Sequence, residues 1–369
     1  MQLSAGELWP HKIPELHRRP RHILSPGRMG RLAKAGFHFE PCEEDHVKAL
    51  LYDKLGSVDF LEIREIEKPT PKKNEVLVKV HAVSINDWDC GFLHDVFLTR
   101  LARRLNPKKI IGCDVAGVIE SAGPEAKLFK PGDAVFGDLS RFGRGGFGAF
   151  AEYVCARENA LALKPAGMTF EQAAAIPQAG MLALQGLLAG GPLRPGQKLL
   201  INGAGGGVGT FAIQIAKLQD VEVTGVDSAE KLDMMRSIGF DHVIDYRAED
   251  FTKSGKRYDL ILDTKTNRSL FDYASALDPG GTYATVGGTS HLLQIALLRL
   301  IARLGKKKIR LVMLKQNKDL AYLKELFEAG KFVPVIDGPY RFSEAREAFR
   351  HFVGAKHKGK VVIRIDRER

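Results

Sequence analysis

Gly203, Gly205, Gly206, Gly207 and Gly209, spaced by Ala204 and Val208, are the residues of this chain best suited to hold an anion. Without a Cβ in the way, Gly203, Gly206 and Gly209 let backbone approach a pyrophosphate. The apolar run Leu199 to Ile201 leads into this turn, and Val208, Phe211, Ala212, Ile215 and Leu218 share one helical face after it. The pattern is strand, tight turn, helix. The unpaired N–H groups and positive dipole end of the helix point at the turn, so the expected ligand is a dinucleotide. Asp227 closes the next apolar run, Val221 to Val226, about 20 residues on, where an acid binds the adenosine ribose.

Those residues need a scaffold, and the sequence writes one. A helix over 228–238, strands over 242–244 and 260–262, a helix over 270–277 and a Gly-Gly turn into 282–286 alternate in order. Such alternation predicts an α/β, doubly wound parallel sheet. Upstream, VKALLYD, FLEIREI, EVLVKVHAVSI, GCDVAGVIES, PGDAVF and GGFGAFAEYV read as short strands with Gly and Pro turns, the style of a small β-barrel. At 369 residues the chain suits two domains.

Hydrophobic residues make up 44% and charged residues 27% of the chain, values of a soluble globular protein. The net charge of +11 is spread along the chain, which argues against nucleic-acid binding. The four cysteines, Cys42, Cys90, Cys113 and Cys155, form no CxxC pair, as expected of free thiols in a reducing, cytoplasmic setting. Residues 1–46, broken by Pro10, Pro14, Pro20 and Pro26, read as a disordered basic extension.

Taken in order, Val83 to Asp89 (VSINDWD), GCDVAGVIESAG, KPGDAVFG, GAFAEYV, AAAIPQAGMLALQGL, GAGGGVG, VIDY and GKVVI resemble the medium-chain dehydrogenase/reductase superfamily, specifically its zinc-free quinone oxidoreductase branch. The resemblance covers about residues 47–366. It implies a GroES-like β-barrel domain (47–170 and 316–369) interrupted by a Rossmann domain (171–315), with the active site in the cleft between them. Zinc members hold metal with a Cys, a Gly-His-Glu string and a third Cys or Asp. Here Asn86 and Gly112-Cys113-Asp114 stand at the first two places, and no lobe of four close cysteines exists. The expectation is a site without metal. Cys90 and His94 could share a helical face, but local packing is the expected role.

Without a Lewis acid, the cofactor carries the chemistry and the protein orients it. By resemblance, Asn86 lies beside the nicotinamide and Asp89 holds a neighbouring loop. Tyr153 is the candidate phenolic donor, with Tyr52 a second one, and water an alternative. The resemblance also assigns Lys231 and Tyr246 to cofactor contacts; Gly287 and, for a phosphate, Lys358 are further candidates. Cofactor choice stays open at this point: Asp227 favours NAD(H), whereas Lys231 matches a phosphate-contacting lysine of NADP(H) enzymes.

The implied activity is reduction of a quinone or an α,β-unsaturated carbonyl by a homodimer. A trans-2-enoyl thioester reductase, with the basic run 100–109 as a coenzyme A channel, is one alternative. A nucleotide-binding protein with little turnover is another. The stretch 291–310, HLLQIALLRLIARLGKKKIR, is too short in its apolar part to span a bilayer but could lie on an anionic membrane surface.

Overall fold

The computed structural model describes residues 46–54, 56–91, 93, 109–140, 148–286 and 307–365. The expected extension up to residue 45, the stretch 291–306, the run 100–108, His94 and Gly287 lie outside the described residues, whereas His46 opens a strand.

Two sheets carry the architecture. Six parallel strands run in the order His242–Asp245, Glu222–Asp227, Lys198–Asn202, Tyr258–Asp263, Leu277–Val286 and Lys308–Val312. Leu199, Leu200, Ile201 and Asn202 are all buried, as a central strand covered on both faces requires. Counted within this sheet, the order is 3-2-1-4-5-6, so the switch point lies between Lys198–Asn202 and Tyr258–Asp263. Ligands of open α/β sheets sit outside the carboxyl ends of the strands at that point.

The second sheet joins Ile336–Arg341, Lys360–Arg364, Glu75–Ser84, Asp114–Ala122, Ala134–Asp138 and Ala162–Leu163, with Tyr153–Arg157 also on Glu75–Ser84. His46–Tyr52 and Leu61–Glu67 form a hairpin, and Tyr52 is buried in the barrel core with Leu50, Val78 and Phe349. The C-terminal strand re-enters this barrel by pairing Val362 with Ser84. That return puts residues far apart in sequence at one strand end.

The segment after 316 touches both halves: Gln316 Nε2 donates to Ser140 Oγ at 2.8 Å and Asn317 Nδ2 to the Asp138 carbonyl at 2.9 Å. Leu320, Leu323 and Leu326 of the helix Leu320–Glu328 are buried in the core that holds Ala183 and Leu184 of the helix Pro177–Leu187. A helix with one apolar face must bury it against its nearest partner, and here that partner belongs to the nucleotide-binding half. From Ile336 the chain pairs into the barrel sheet as a strand.

Candidate active site

The glycine turn begins where Asn202 ends its strand. Gly203 takes a φ of +84°, and a Cβ there would stand 2.1 Å from Thr264 Oγ1, so only glycine fits. A Cβ on Gly206 would make only ordinary contacts, 3.4 Å from the Gly203 carbonyl oxygen and 3.8 Å from His357 Nε2, so the turn is not packed tightly on that side. The helix Gly207–Ala216 has no side-chain cap. Its first bond runs from Thr210 N–H to the Gly206 carbonyl at 3.0 Å, so the N–H groups of Gly207, Val208 and Gly209 have no intrahelical acceptor. An uncapped helix start beside open glycine backbone fits a pyrophosphate.

Asp227 and Lys231, opposed as cofactor selectors in the sequence, turn out to be one unit. Lys231 Nζ lies 3.3 Å from Asp227 Oδ1, with both side chains buried. Asp227 also accepts the N–H groups of Gly205 and Ser228, each at 2.9 Å. Burial pushes the Lys231 ammonium below the usual lysine range, and Asp227 opposes that shift. Tyr246 sits beside them, half-exposed, donating its N–H to the Asp227 carbonyl at 3.1 Å with the Arg247 guanidinium over its ring.

At the barrel end, a second group closes around Asp114. Ser84 Oγ donates to Asp114 Oδ2 at 2.9 Å, Asn86 Nδ2 to the same oxygen at 3.0 Å, and the Gln178 N–H to Oδ1 at 3.1 Å. Lys360 Nζ lies 3.3 Å from Asp114 Oδ2, donates to the Ile85 carbonyl at 2.9 Å and bonds Asn86 Oδ1. Asp89 Oδ2 accepts the Asn86 N–H at 2.8 Å. Burial, reinforced by the charge of Asp114, pushes the Asp89 carboxyl up to about 7. Asp138, paired with Asp114 across the sheet, is pushed up to about 7 for the same two reasons.

The two groups meet through one short segment. Gly359 N–H donates to the Gly205 carbonyl at 2.8 Å, while the next side chain, Lys360, reaches Asn86. The structure therefore brings Asn86 and Asp89 together with the glycine turn. It does not bring Tyr153 to them. Tyr153 pairs with Lys79, about 17 Å back along the strand from Ser84, and is buried against Val47 and Leu77 with Lys68 Nζ 4.2 Å over its ring. Lys358 is exposed, its N–H bonded to Asp337 at 2.8 Å. Cys90 and Cys113 are buried thiols whose pKa values burial raises, which suits packing.

Sequence reasoning missed Ser84, Asp114 as a hub, Gln178 and Lys360. The available signal was Lys360 itself, a lysine directly before the apolar residues Val361, Val362 and Ile363 of the strand KVVIR. It also missed Asn202 and Asp263 at the carboxyl ends of their parallel strands, where Asp263 accepts from Asn202 Nδ2 at 2.9 Å and from Tyr283 OH at 2.6 Å.

A parallel sheet with a dinucleotide-type turn, joined to a barrel that carries a polar group to that turn, defines a two-domain NAD(P)H-dependent oxidoreductase. Comparison with known families agrees: residues 72–166 match the model described as alcohol dehydrogenase GroES-like domain, and 238–363 the one described as zinc-binding dehydrogenase. The chain belongs to the medium-chain dehydrogenase/reductase superfamily, in its zinc-free quinone oxidoreductase branch. It is 30% identical to the chloroplastic quinone-oxidoreductase QR1 of Triphysaria versicolor, over 86% of this chain and 98% of that protein. It is 33% identical to the chloroplastic NADPH-dependent alkenal/one oxidoreductase of Arabidopsis thaliana, over 86% and 79%. Among solved structures, the quinone oxidoreductase from Coxiella burnetii superposes with a TM-score of 0.78 at 26% identity, covering 87% of this chain and 100% of that one.

Proposed function

We propose that this protein reduces a quinone or an α,β-unsaturated carbonyl with NADPH and without a metal. One observation carries the reading. Asn86 and Asp114, which stand where zinc members place metal-binding strings, are bonded to each other and to the Lys360 ammonium. A fixed cation already neutralises that carboxylate, and the amide and carboxylate oxygens are engaged. Three or four convergent ligands are what zinc requires.

Reduced nicotinamide, when bound, supplies a hydride to an electron-poor carbon or quinone ring. The chain's own groups do the rest. The helix start at Gly207 holds the pyrophosphate. Lys360 and Asp114 fix the Asn86 amide in one orientation, and that amide has a second N–H for a carboxamide or substrate oxygen. Asp89 anchors the Asn86 backbone. Water delivers the proton that completes reduction. NADPH is favoured because Lys231 neutralises the carboxylate that would otherwise repel a 2′-phosphate, while the Gly205 and Ser228 N–H groups occupy its oxygens.

The test is steady-state oxidation of NADPH and NADH in EDTA with 1,4-benzoquinone, 9,10-phenanthrenequinone and a short alkenal. Chelator-insensitive turnover favouring NADPH is expected. Turnover lost in EDTA and restored by zinc would overturn the metal-free reading. Tight cofactor binding without turnover would move the protein to a thioester substrate or to a binding role.

A further inference from the structure

The loop leading into Lys360–Arg364 covers one side of the glycine turn. Gly206 and Gly359 form an isolated bridge, and Gly359 N–H bonds the Gly205 carbonyl at 2.8 Å. That contact seats His357 against the start of the helix Gly207–Ala216. His357 is 5% exposed, and its ring stacks on Phe352 with centroids 4.6 Å apart and planes 10° from parallel. The Nδ1 atom is buried with no hydrogen-bond partner. The Nε2 atom stands 3.8 Å from where a Cβ on Gly206 would lie, on the face of the turn that the loop covers. The nitrogen that faces the turn is therefore Nε2, and an anion held there would give its N–H an acceptor.

The charged groups around the ring leave it unsatisfied. Lys231 and Asp227 face it from the second parallel strand and the helix after it, Lys265 from the loop after Tyr258–Asp263, and Asp337 from Ile336–Arg341. Asp227 is held by Gly205, Ser228 and Lys231. Asp337 is held by the His351 ring at 3.1 Å and the Lys358 N–H at 2.8 Å. Neither carboxylate bonds His357.

We propose that His357 is a phosphate-binding residue of the dinucleotide site, its imidazole donating to a pyrophosphate oxygen held at the uncapped helix start. This rests on the dinucleotide reading above. In the free chain, burial together with Lys231 and Lys265 pushes His357 down to about 3, so the ring is neutral at neutral pH and carries one N–H. A bound dianion opposes the field of the two lysines and raises the imidazole pKa. Binding therefore shifts the ring toward protonation, and affinity strengthens as pH falls toward the raised pKa.

Calorimetric titration of the full chain tests this with NADPH, with ADP, which has a pyrophosphate but no nicotinamide, and with 2′-AMP, which has neither. Titrations at about pH 6 and about pH 8, each in two buffers of different ionisation heat, count the protons taken up. His357→Leu is expected to weaken NADPH and ADP by about tenfold or more, to leave 2′-AMP unchanged and to remove the ring's share of the proton uptake, leaving that of the ligand phosphates. His357→Gln, which places a neutral donor near Nε2, should recover part of the affinity without the proton. Unchanged affinity and uptake in both variants would overturn the proposal. Equal weakening of all three ligands would overturn it too, because it would mark a packing role. A parent chain that binds neither NADPH nor ADP would instead overturn the dinucleotide reading.

Discussion

Two buried lysines lie at opposite ends of the site, each 3.3 Å from an aspartate, and they do opposite things. Lys360 sits in a closed group: its ammonium has three acceptors, and Asp114 has donors from Ser84, Asn86 and Gln178. Lys231 sits in an open one, where Asp227 is its single carboxylate and where the helix start and His357 beside it have donors to spare. The difference separates architecture from binding. A closed polar group orients a side chain, here Asn86, whereas an open one waits for a ligand to complete it.

The comparison breaks most easily at the turn. Gly206→Val should weaken NADPH by about 100-fold or more, because its side chain fills the loosely packed face. The backbone of Gly206, at φ −89° and ψ −179°, suits valine, so the melting temperature should stay near that of the parent. A fluorescence titration with a parallel melt checks both, and undiminished affinity would show that the turn is not the phosphate site.

The closed end should answer in stability. Lys360→Met leaves Asp114 charged, buried and without its counter-ion, a loss of about 3–5 kcal/mol. Urea denaturation measures it, and a loss below about 1 kcal/mol would mean that the group is not held by the lysine. The open end should answer in specificity. Lys231→Met restores the uncompensated charge of Asp227 and should shift preference from NADPH toward NADH by about tenfold, read as a ratio of kcat/KM values.

Proton linkage gives a smaller effect. Because the Asp89 carboxyl is pushed up to about 7, the folded chain keeps a proton that the unfolded chain releases above about pH 4. Its stabilising contribution is full below about pH 4 and is lost as pH rises through about 7. Asp138 works in the same direction, and His357, pushed down to about 3, in the opposite one between about pH 3 and 6.5. Asp89→Asn should therefore flatten, without abolishing, the fall in melting temperature between about pH 4 and 8. The least effect is expected from removing residues 1–45, which should leave turnover with a quinone intact.

The same contrast explains what the sequence reveals. The glycine turn, the alternating strands and Asp227 are legible because each is a local pattern: a spacing, a period, a strand end. Asn86 and Asp89 become legible through the resemblance of VSINDWD to a family string. Lys360 does not, because its burial depends on the pairing of Val362 with Ser84, residues separated by most of the chain. His357 hides in the charged string KHKGK, where nothing local distinguishes it from its exposed neighbours. Tyr153 misleads for the mirror reason: its residue type suits proton donation, but the register opposite Lys79 sets it away from Asn86.

The most direct measurement is the fate of the hydride itself. With NADPH deuterated at the transferring carbon, a short alkenal and EDTA, NMR of the product should show one deuterium on the β-carbon and a solvent-derived hydrogen on the α-carbon. Reduced product without deuterium at the β-carbon would contradict direct transfer in a metal-free site.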